Sequence, residues 1–430
     1  MAASAYAVLA ISTAMFGLAA HATHFGAFFV TAGLCLLWLA WQKEKWLPPA
    51  AAAAFIFGTA ILMKQHAVFI ACWAALAFAA LSLHQKGYSP VRRIAALGVL
   101  GVAMILPFAL CCLLLWRAGV FGKFWFWTMA YGKEYVFIIR LSDLFLNLGW
   151  SLHSIFTDCC LWWFSVAGLA AVWVDERLRK IRLWLLGFAL ASALTTAPGF
   201  YFRTHYFLLA LPAAALLAGC AVSGAANLLR QKAGAERFCH APAGLFVLLL
   251  ALILVRDGDV VAVLNRVGSH ALYGGEPFPE AAAAAAFIRA SSPPAARIAV
   301  LGSEPEIYFL ARRHSATGYI YVYALMEPQP FARRMQAEMI REIETNNPEF
   351  VIYANVGSSW LQQAKSDTTI FNWWTAYQTN YDRVGIAEIV SLVETRYFWD
   401  VDAGQFGRLK NSGLEIYRRK TLLPVPAATH

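Results

Sequence analysis

The feature that most constrains this chain is a ladder of apolar runs over its first 256 residues, in which the basic residues gather in alternate interruptions. The runs lie at 4–20, 25–41, 50–63, 67–83, 94–116, 155–174, 182–198, 204–222 and 243–255. A span needs ~20 residues to cross ~30 Å of hydrocarbon, so the shorter runs must draw on flanking aromatic or polar residues. The pattern predicts a polytopic α-helical membrane protein of about nine spans. Between 50–63 and 67–83 sit only Lys64, Gln65 and His66. One long helix with a buried charge competes there, but a lysine in mid-bilayer costs several kcal/mol, which favours two helices with Lys64 at a surface.

Orientation follows from the short loops. Lys43 and Lys45 share one loop, and Lys86, Arg92 and Arg93 the next but one. Arg177, Arg179, Lys180 and Arg182 follow, then Arg230, Lys232 and Arg237. With nine spans all four groups fall on one side, while the intervening short loops hold only Lys64 and Arg203. This places the N-terminus and the basic loops in the cytoplasm and residues 257–430 outside. Residues 1–256 carry 19 Lys and Arg against seven Asp and Glu (+12), and residues 257–430 carry 16 against 18 (−2). The basic excess therefore serves topology and anionic lipid, and a nucleic-acid partner is excluded. All eight cysteines precede residue 257 and most lie in apolar runs, so they read as small buried hydrophobes and not as a disulfide or metal framework.

Residues 257–430 have a different texture. Helices are expected at 278–290, 304–312, 328–346 and 367–379, and strands at 297–301 (RIAVL), 350–353 (FVIY), 383–399 and 413–418. The alternation predicts an extracytoplasmic α/β domain of three layers with a largely parallel sheet. Gly302-Ser303-Glu304 after the first strand is no dinucleotide fingerprint.

Polar chemistry in the membrane part has few candidates. With Glu44, Asp175, Glu176 and Glu236 on the cytoplasmic side, only Glu134, Asp143 and Asp158 face outward. Asp158 lies just inside an apolar run and needs a cation, for which Lys133, Arg140 and Arg203 are the expected partners. The external loop 117–154 mixes aromatics with Lys and Arg, as helices in the interface plane do; it reads equally as an aromatic belt or as a groove for a headgroup and a sugar. The turn Gly199-Phe-Tyr-Phe-Arg203-Thr-His205-Tyr206 sets a guanidinium, an imidazole and phenols at the outer surface. Arg offers a planar fork and the others further hydrogen bonds, a good phosphate-binding arrangement.

Three stretches resemble one family. GFYFRTHYFLLALPAAALLAG resembles the Arg-Tyr-His motif of bacterial family 39-type glycosyltransferases, GT-C enzymes related to protein O-mannosyltransferases and the lipid A aminoarabinose transferase. GTAILMKQHAVFIACW is similar to their Lys-Gln element, and RIAVLGSEPEIYFLARRHSATGYIY to their Arg-Ile-x-Val-x-Gly and Pro-x-Ile-Tyr run. The resemblance implies a GT-C-like fold and transfer of a sugar from a polyprenyl-phosphate donor to a hydroxyl acceptor at the outer face of a bacterial inner membrane. It implies donor-phosphate contacts from Lys64, Arg203, His205 and Tyr206; such enzymes sometimes use a divalent metal, but no ligand set in this sequence requires one, and no cofactor is expected. The family's first external loop, with its Asp base, has no counterpart here, and His24 stands where a carboxylate is common. Asp143, Glu134 or His24 must then substitute as base. The chain is expected to be truncated at its N-terminus or diverged, and weak or inactive as a transferase. Two other readings stay open: an accessory subunit that binds the lipid carrier, and a transporter, against which the lack of an internal repeat counts.

Overall fold

The computed structural model describes residues 1–136, 140–267 and 270–420. They form two compact units, Met1–Asp257 and Gly258–His430.

The first unit is helical: α1 (Ala2–Ala10), α2 (Ala22–Gln42), α3 (Leu47–Met63), α4 (Val68–His84), α5 (Pro90–Arg117), α6 (Phe121–Trp125), α7 (Gly132–Val136), α8 (Leu144–Asp158), α9 (Leu161–Val174), α10 (Arg182–Leu194), α11 (Leu211–Gln231) and α12 (Ala241–Val267). Among the described residues, five helical stretches are long and apolar enough to cross a membrane, namely Ala22–Gln42, Gln65–His84, Pro90–Arg117, Thr204–Gln231 and Glu236–Arg256; α3, α9 and α10 are shorter apolar helices. Local chemistry sets several ends. Proline occupies the first turn of α3, α5 and α11, where its missing N–H costs nothing, and Ser89 caps α5 by accepting the Arg92 amide.

Two expected spans are corrected. The run 4–20 is no single helix: α1 stops at Ala10, a 3₁₀ turn follows, and Phe16 takes a left-handed backbone. Nine helical residues rise only ~13 Å, far short of the hydrocarbon thickness. The run 155–174 is broken at Cys159, where α8 ends in extended backbone before α9 begins. The loop 117–154 folds into α6, a π-helical turn (Phe126–Tyr131), α7 and most of α8, with 137–139 outside the described residues.

Small residues let these helices touch backbone to backbone. A Cβ on Gly58 would stand 2.0 Å from the Met104 carbonyl oxygen of α5, and one on Gly168 2.0 Å from the Leu217 oxygen of α11. Outward, α5 exposes Val91, Ile94, Val102, Ile105 and Leu114. Such a surface suits lipid and not water.

The second unit carries a six-stranded sheet in the order β2-β1-β3-β6-β4-β5. Its strands are β1 (Arg297–Leu301), β2 (His314–Ser315), β3 (Phe350–Asn355), β4 (Tyr381–Ser391), β5 (Glu394–Trp399) and β6 (Gly413–Arg419). β1 pairs in parallel with β2 and β3, whereas the β3–β6, β6–β4 and β4–β5 pairs are antiparallel. The expected largely parallel sheet is thus a mixed one. Helical crossovers join β1 to β3 in parallel, β4 and β5 form a tight antiparallel hairpin, and β6 enters antiparallel between β3 and β4. α13 (Phe278–Ser291) sets Ala281, Ala284, Ala285 and Ile288 against Ile298, Val300 and Ile352 in one core. The unit's other helices of more than five residues are α14 (Glu306–Ala311), α15 (Ala332–Asn346) and α16 (Thr369–Tyr377). Gln336 ties α15 to α16, donating to the Asp367 carbonyl (2.8 Å) and accepting from the Ile370 amide (2.8 Å).

Candidate functional site

The polar centre of the first unit is built at the breaks between helices. α3 ends at Met63, Lys64 adopts extended backbone, and a single 3₁₀ turn leads into α4. The apolar stretch 50–83 is therefore two helices, and Lys64 leaves the helix at the break. Gly26 of α2 faces this turn, since a Cβ there would be in ordinary contact with the Lys64 Cβ at 3.5 Å.

The second break, at 199–203, is held under strain. Gly199, Phe200 and Phe202 all have positive φ (68°, 56° and 44°), a conformation bulky side chains avoid. α8 secures it by side chains: Asn147 Nδ2 donates to the Phe200 carbonyl at 3.1 Å, and the Ser151 hydroxyl to that of Phe202. Strain of this kind persists only where its surroundings over-determine it, and it gathers at functional sites. Its product is the placement of Arg203, His205 and Tyr206.

These three meet Lys64 and three further groups. The Lys64 ammonium stands 4.8 Å from the centre of the buried Tyr206 ring. His66 meets the same ring edge-on at 4.6 Å, and His205 does so at 4.8 Å. The His21 and His205 rings stack in parallel, 4.5 Å apart. The Arg203 guanidinium lies 5.1 Å over Tyr201, which stacks at 4.9 Å on Tyr135 of α7. His66 Nδ1 lies 3.1 Å from the Thr195 carbonyl, and since a carbonyl only accepts, Nδ1 carries the proton and Nε2 the lone pair. The groups acting on His205 are His21, Lys64, Arg203 and His66; the one acting on Lys64 is Arg203. The cluster is a basic, aromatic surface whose chemistry suits an anion rich in acceptor oxygens.

The four expected phosphate contacts Lys64, Arg203, His205 and Tyr206 are thus neighbours. His24, one helical turn from His21, has a buried Nε2 with no hydrogen-bond partner among the described residues. Glu134 is half-buried beside Tyr135, at the cluster's edge. Asp143 is exposed and accepts from the Ser142 hydroxyl at 3.1 Å. Asp158 is tied differently from the expectation. It accepts from Ser12 Oγ at 2.5 Å, and its cation is Arg256, at 3.8 Å, instead of Lys133, Arg140 or Arg203. Arg256 is 98 residues away in sequence, and only the packing of α12 beside α8 brings the two together. Sequence reasoning also passed over His21 and His66. Their signal was histidine spacing: His21 and His24 share a helical turn, and His66 follows Lys64 by two. Among the described residues no group of three or more His, Cys, Asp or Glu could hold a metal ion.

Below the cluster an apolar groove of about 380 Å³ is lined by Trp38, Trp41, Trp73, Trp184 and Phe188. Its walls come from α2, α4, α10 and α11, the helices whose other ends lead to His21, His66, Thr195 and Arg203.

No family model and no curated protein matches this sequence. Among solved structures it is similar to the crystal structure of the Archaeoglobus fulgidus oligosaccharyltransferase complex with Zn and sulfate, at 13% identity and a TM-score of 0.40. The match covers 88% of this chain and 54% of that one, so the chain spans about half the length of that protein. A likeness this distant assigns neither a reaction nor a residue.

Proposed function

We propose that the chain is a GT-C-type membrane glycosyltransferase that takes a sugar from a polyprenyl-phosphate donor to a hydroxyl acceptor at the outer face of a bacterial inner membrane. The observation that carries this is the basic cluster of Lys64, Arg203, His205 and Tyr206 above the apolar groove. An anionic headgroup and a long hydrocarbon chain are what such a pair accommodates. Along the helices, Trp73 lies ~10 Å beyond His66 and Trp41 ~30 Å beyond His21, a span suited to an extended isoprenoid.

In this reading Lys64, Arg203 and the N–H and O–H groups of His205 and Tyr206 bind the phosphate. They stabilise the charge that grows on it as the sugar C1–O bond breaks. The acceptor oxygen forms the new bond to C1, its proton passes to a base, and polyprenyl phosphate leaves. Glu134, Asp143 and His24 are the bases proposed. Proton removal from the acceptor is their part of the reaction, and base assistance is worth ~10²–10⁴-fold. The basic loops from Lys43 onward face the cytoplasm and residues 257–430 the exterior. This holds without counting residues 4–20, so only the side of Met1 depends on them.

The test is turnover of polyprenyl-phosphate sugar by the purified chain, with Glu134→Gln, Asp143→Asn and His24→Asn beside it. Loss of the residual rate in one variant identifies the base. Donor binding that survives Lys64→Ala together with Arg203→Ala contradicts the assignment.

A further inference from the structure

The second unit holds a polar constellation that the transfer reading does not use. β1 and β3 run parallel and adjacent, and the loops after their carboxyl ends, 302–305 and 356–360, meet. Ligands of open α/β sheets bind outside such ends. Gly302 is the hinge of the arrangement: a Cβ there would lie 2.2 Å from Glu304 Oε2, 2.6 Å from the Ala354 Cβ and 2.7 Å from Ser359 Oγ. The missing side chain is the space the Glu304 carboxyl occupies.

Glu304 is only 2% exposed, and its Oε2 is buried without a hydrogen-bond partner among the described residues. Around it the loops are tied by hydrogen bonds. The Ser303 amide donates to Ser359 Oγ at 2.9 Å, the Val322 amide to Ser303 Oγ at 3.2 Å, and the Tyr323 hydroxyl to the Ser358 carbonyl at 2.6 Å. Tyr321, half exposed, packs on Tyr323 with ring centres 4.3 Å apart. The charged groups acting on Glu304 are Glu306 and Glu276, both acidic; Glu276 acts on Glu306 and Tyr323 as well. A buried carboxyl with an open acceptor atom is costly in a fold unless a ligand completes it. Three acids beside two phenol rings favour a positive one. A metal ion does not fit, because these acids are not grouped closely enough to ligate one.

We propose that Glu304, with Glu306, Glu276, Tyr321 and Tyr323 about it, binds a small protonated amine. The amine donates N–H bonds to the Glu304 carboxylate and rests its charge against the tyrosine rings. The proposal is independent of the donor site in the first unit. Burial first, then Glu306 and Glu276, push the Glu304 carboxyl up to about 7, against the opposing hydrogen bonds of Ser359 and Ser303. At neutral pH the empty site is therefore partly protonated, and an amine cation displaces that proton. Tyr308 and Tyr323, the other titratable groups that Glu304 acts on, keep their protons, being raised further by burial.

The experiment is calorimetry on the full chain in detergent, with ethanolamine as probe and ethylene glycol as its neutral counterpart. Ethanolamine binds at least about tenfold more tightly than the glycol, and more tightly still as the solution is taken from about pH 6 to about pH 8. Glu304→Gln, nearly isosteric, weakens binding about tenfold and abolishes that pH dependence. Glu306→Gln, at a less buried position, gives a smaller loss and serves if the first variant misfolds. Repeating the titration in phosphatidylethanolamine discs separates the sources: competition by the discs assigns the amine to a lipid headgroup, unchanged affinity to a soluble amine, and both agree with the proposal. Equal binding of glycol and ethanolamine, or affinity flat with pH in the native chain, overturns it. Polyprenyl-phosphate binding stays unchanged in these variants, so failure here and failure of the donor reading are told apart.

Discussion

The two units hold polar groups of opposite sign. In the membrane unit Lys64, His66, His205 and His21 crowd together, and Arg203, Lys64 and the histidines act on one another. In the second unit the buried carboxyls are Glu280, Glu304 and Glu388. Each of Glu280 and Glu304 keeps one buried oxygen without a hydrogen-bond partner among the described residues, but Glu280 meets His270 at 3.1 Å through the other, whereas the charged groups acting on Glu304 are the acids Glu306 and Glu276. Structural charge comes with its partner, as Asp158 does with Arg256 and Ser12. Charge left to crowd its own kind is the mark of a place where something binds, because the fold bears its cost without an internal return. The contrast separates binding groups from ties within one chain.

The largest effect concerns where the two units stand. Alkaline phosphatase fused at His430 is expected to be active and a green fluorescent protein fusion dark, an all-or-none difference. The reverse would put the acidic unit and the basic loops on one side and remove the outer-face reading of both sites.

Next in size is the pH response of the acidic site. Unfolded Glu304 loses its proton near the ordinary 4.5 and the folded form near about 7. Between those values the folded state holds a proton the unfolded state lacks, so stability is greatest below the window, falls as pH rises through it and is level above. The full amplitude is ~3 kcal/mol. Melting of the second unit followed across this range shows the decline, and Glu304→Gln flattens it. A decline of equal size in the variant would assign the effect to other groups.

A third comparison sets binding strain against packing. Gly168→Val drives a methyl into the Leu217 backbone and costs at least about 1–3 kcal/mol of the membrane unit's thermal stability, with donor affinity unchanged in the surviving fold. Smallest is Ser12→Ala, which leaves Asp158 with Arg256 and Thr13 and costs about 1–2 kcal/mol. An Asp158→Asn variant that abolished donor binding would move Asp158 from tie to site.

Much of this organisation was legible in the sequence, for identifiable reasons. The strand RIAVL spans Arg297–Leu301 as expected, because five apolar-rich residues between a proline-containing turn and a glycine leave little choice. Lys64 marked its own helix break through the cost of burying an ammonium. The first run was misjudged because hydropathy averages over Ser12, Thr13 and Gly17, which break the helix through local backbone geometry. The sheet's mixed direction was hidden because pairing partners such as β3 and β6 lie some 60 residues apart, and no local pattern sets their sense. The stacking of His21 on His205 and the tie of Asp158 to Arg256 depend on helices meeting from opposite ends of the unit, which residue spacing does not encode.

The most direct test of the central claim is the affinity of the purified chain for polyprenyl phosphate measured beside the uncharged polyprenol. The basic cluster predicts that the phosphate binds and the alcohol binds far more weakly. Arg203→Ala loses about 1.5–3 kcal/mol of affinity, the worth of a charge-assisted hydrogen bond, and Arg203→Lys recovers only part because its ammonium lacks the fork. Equal binding of phosphate and alcohol, or an Arg203→Ala variant with native affinity, would contradict the account and leave the cluster as an interfacial anchor.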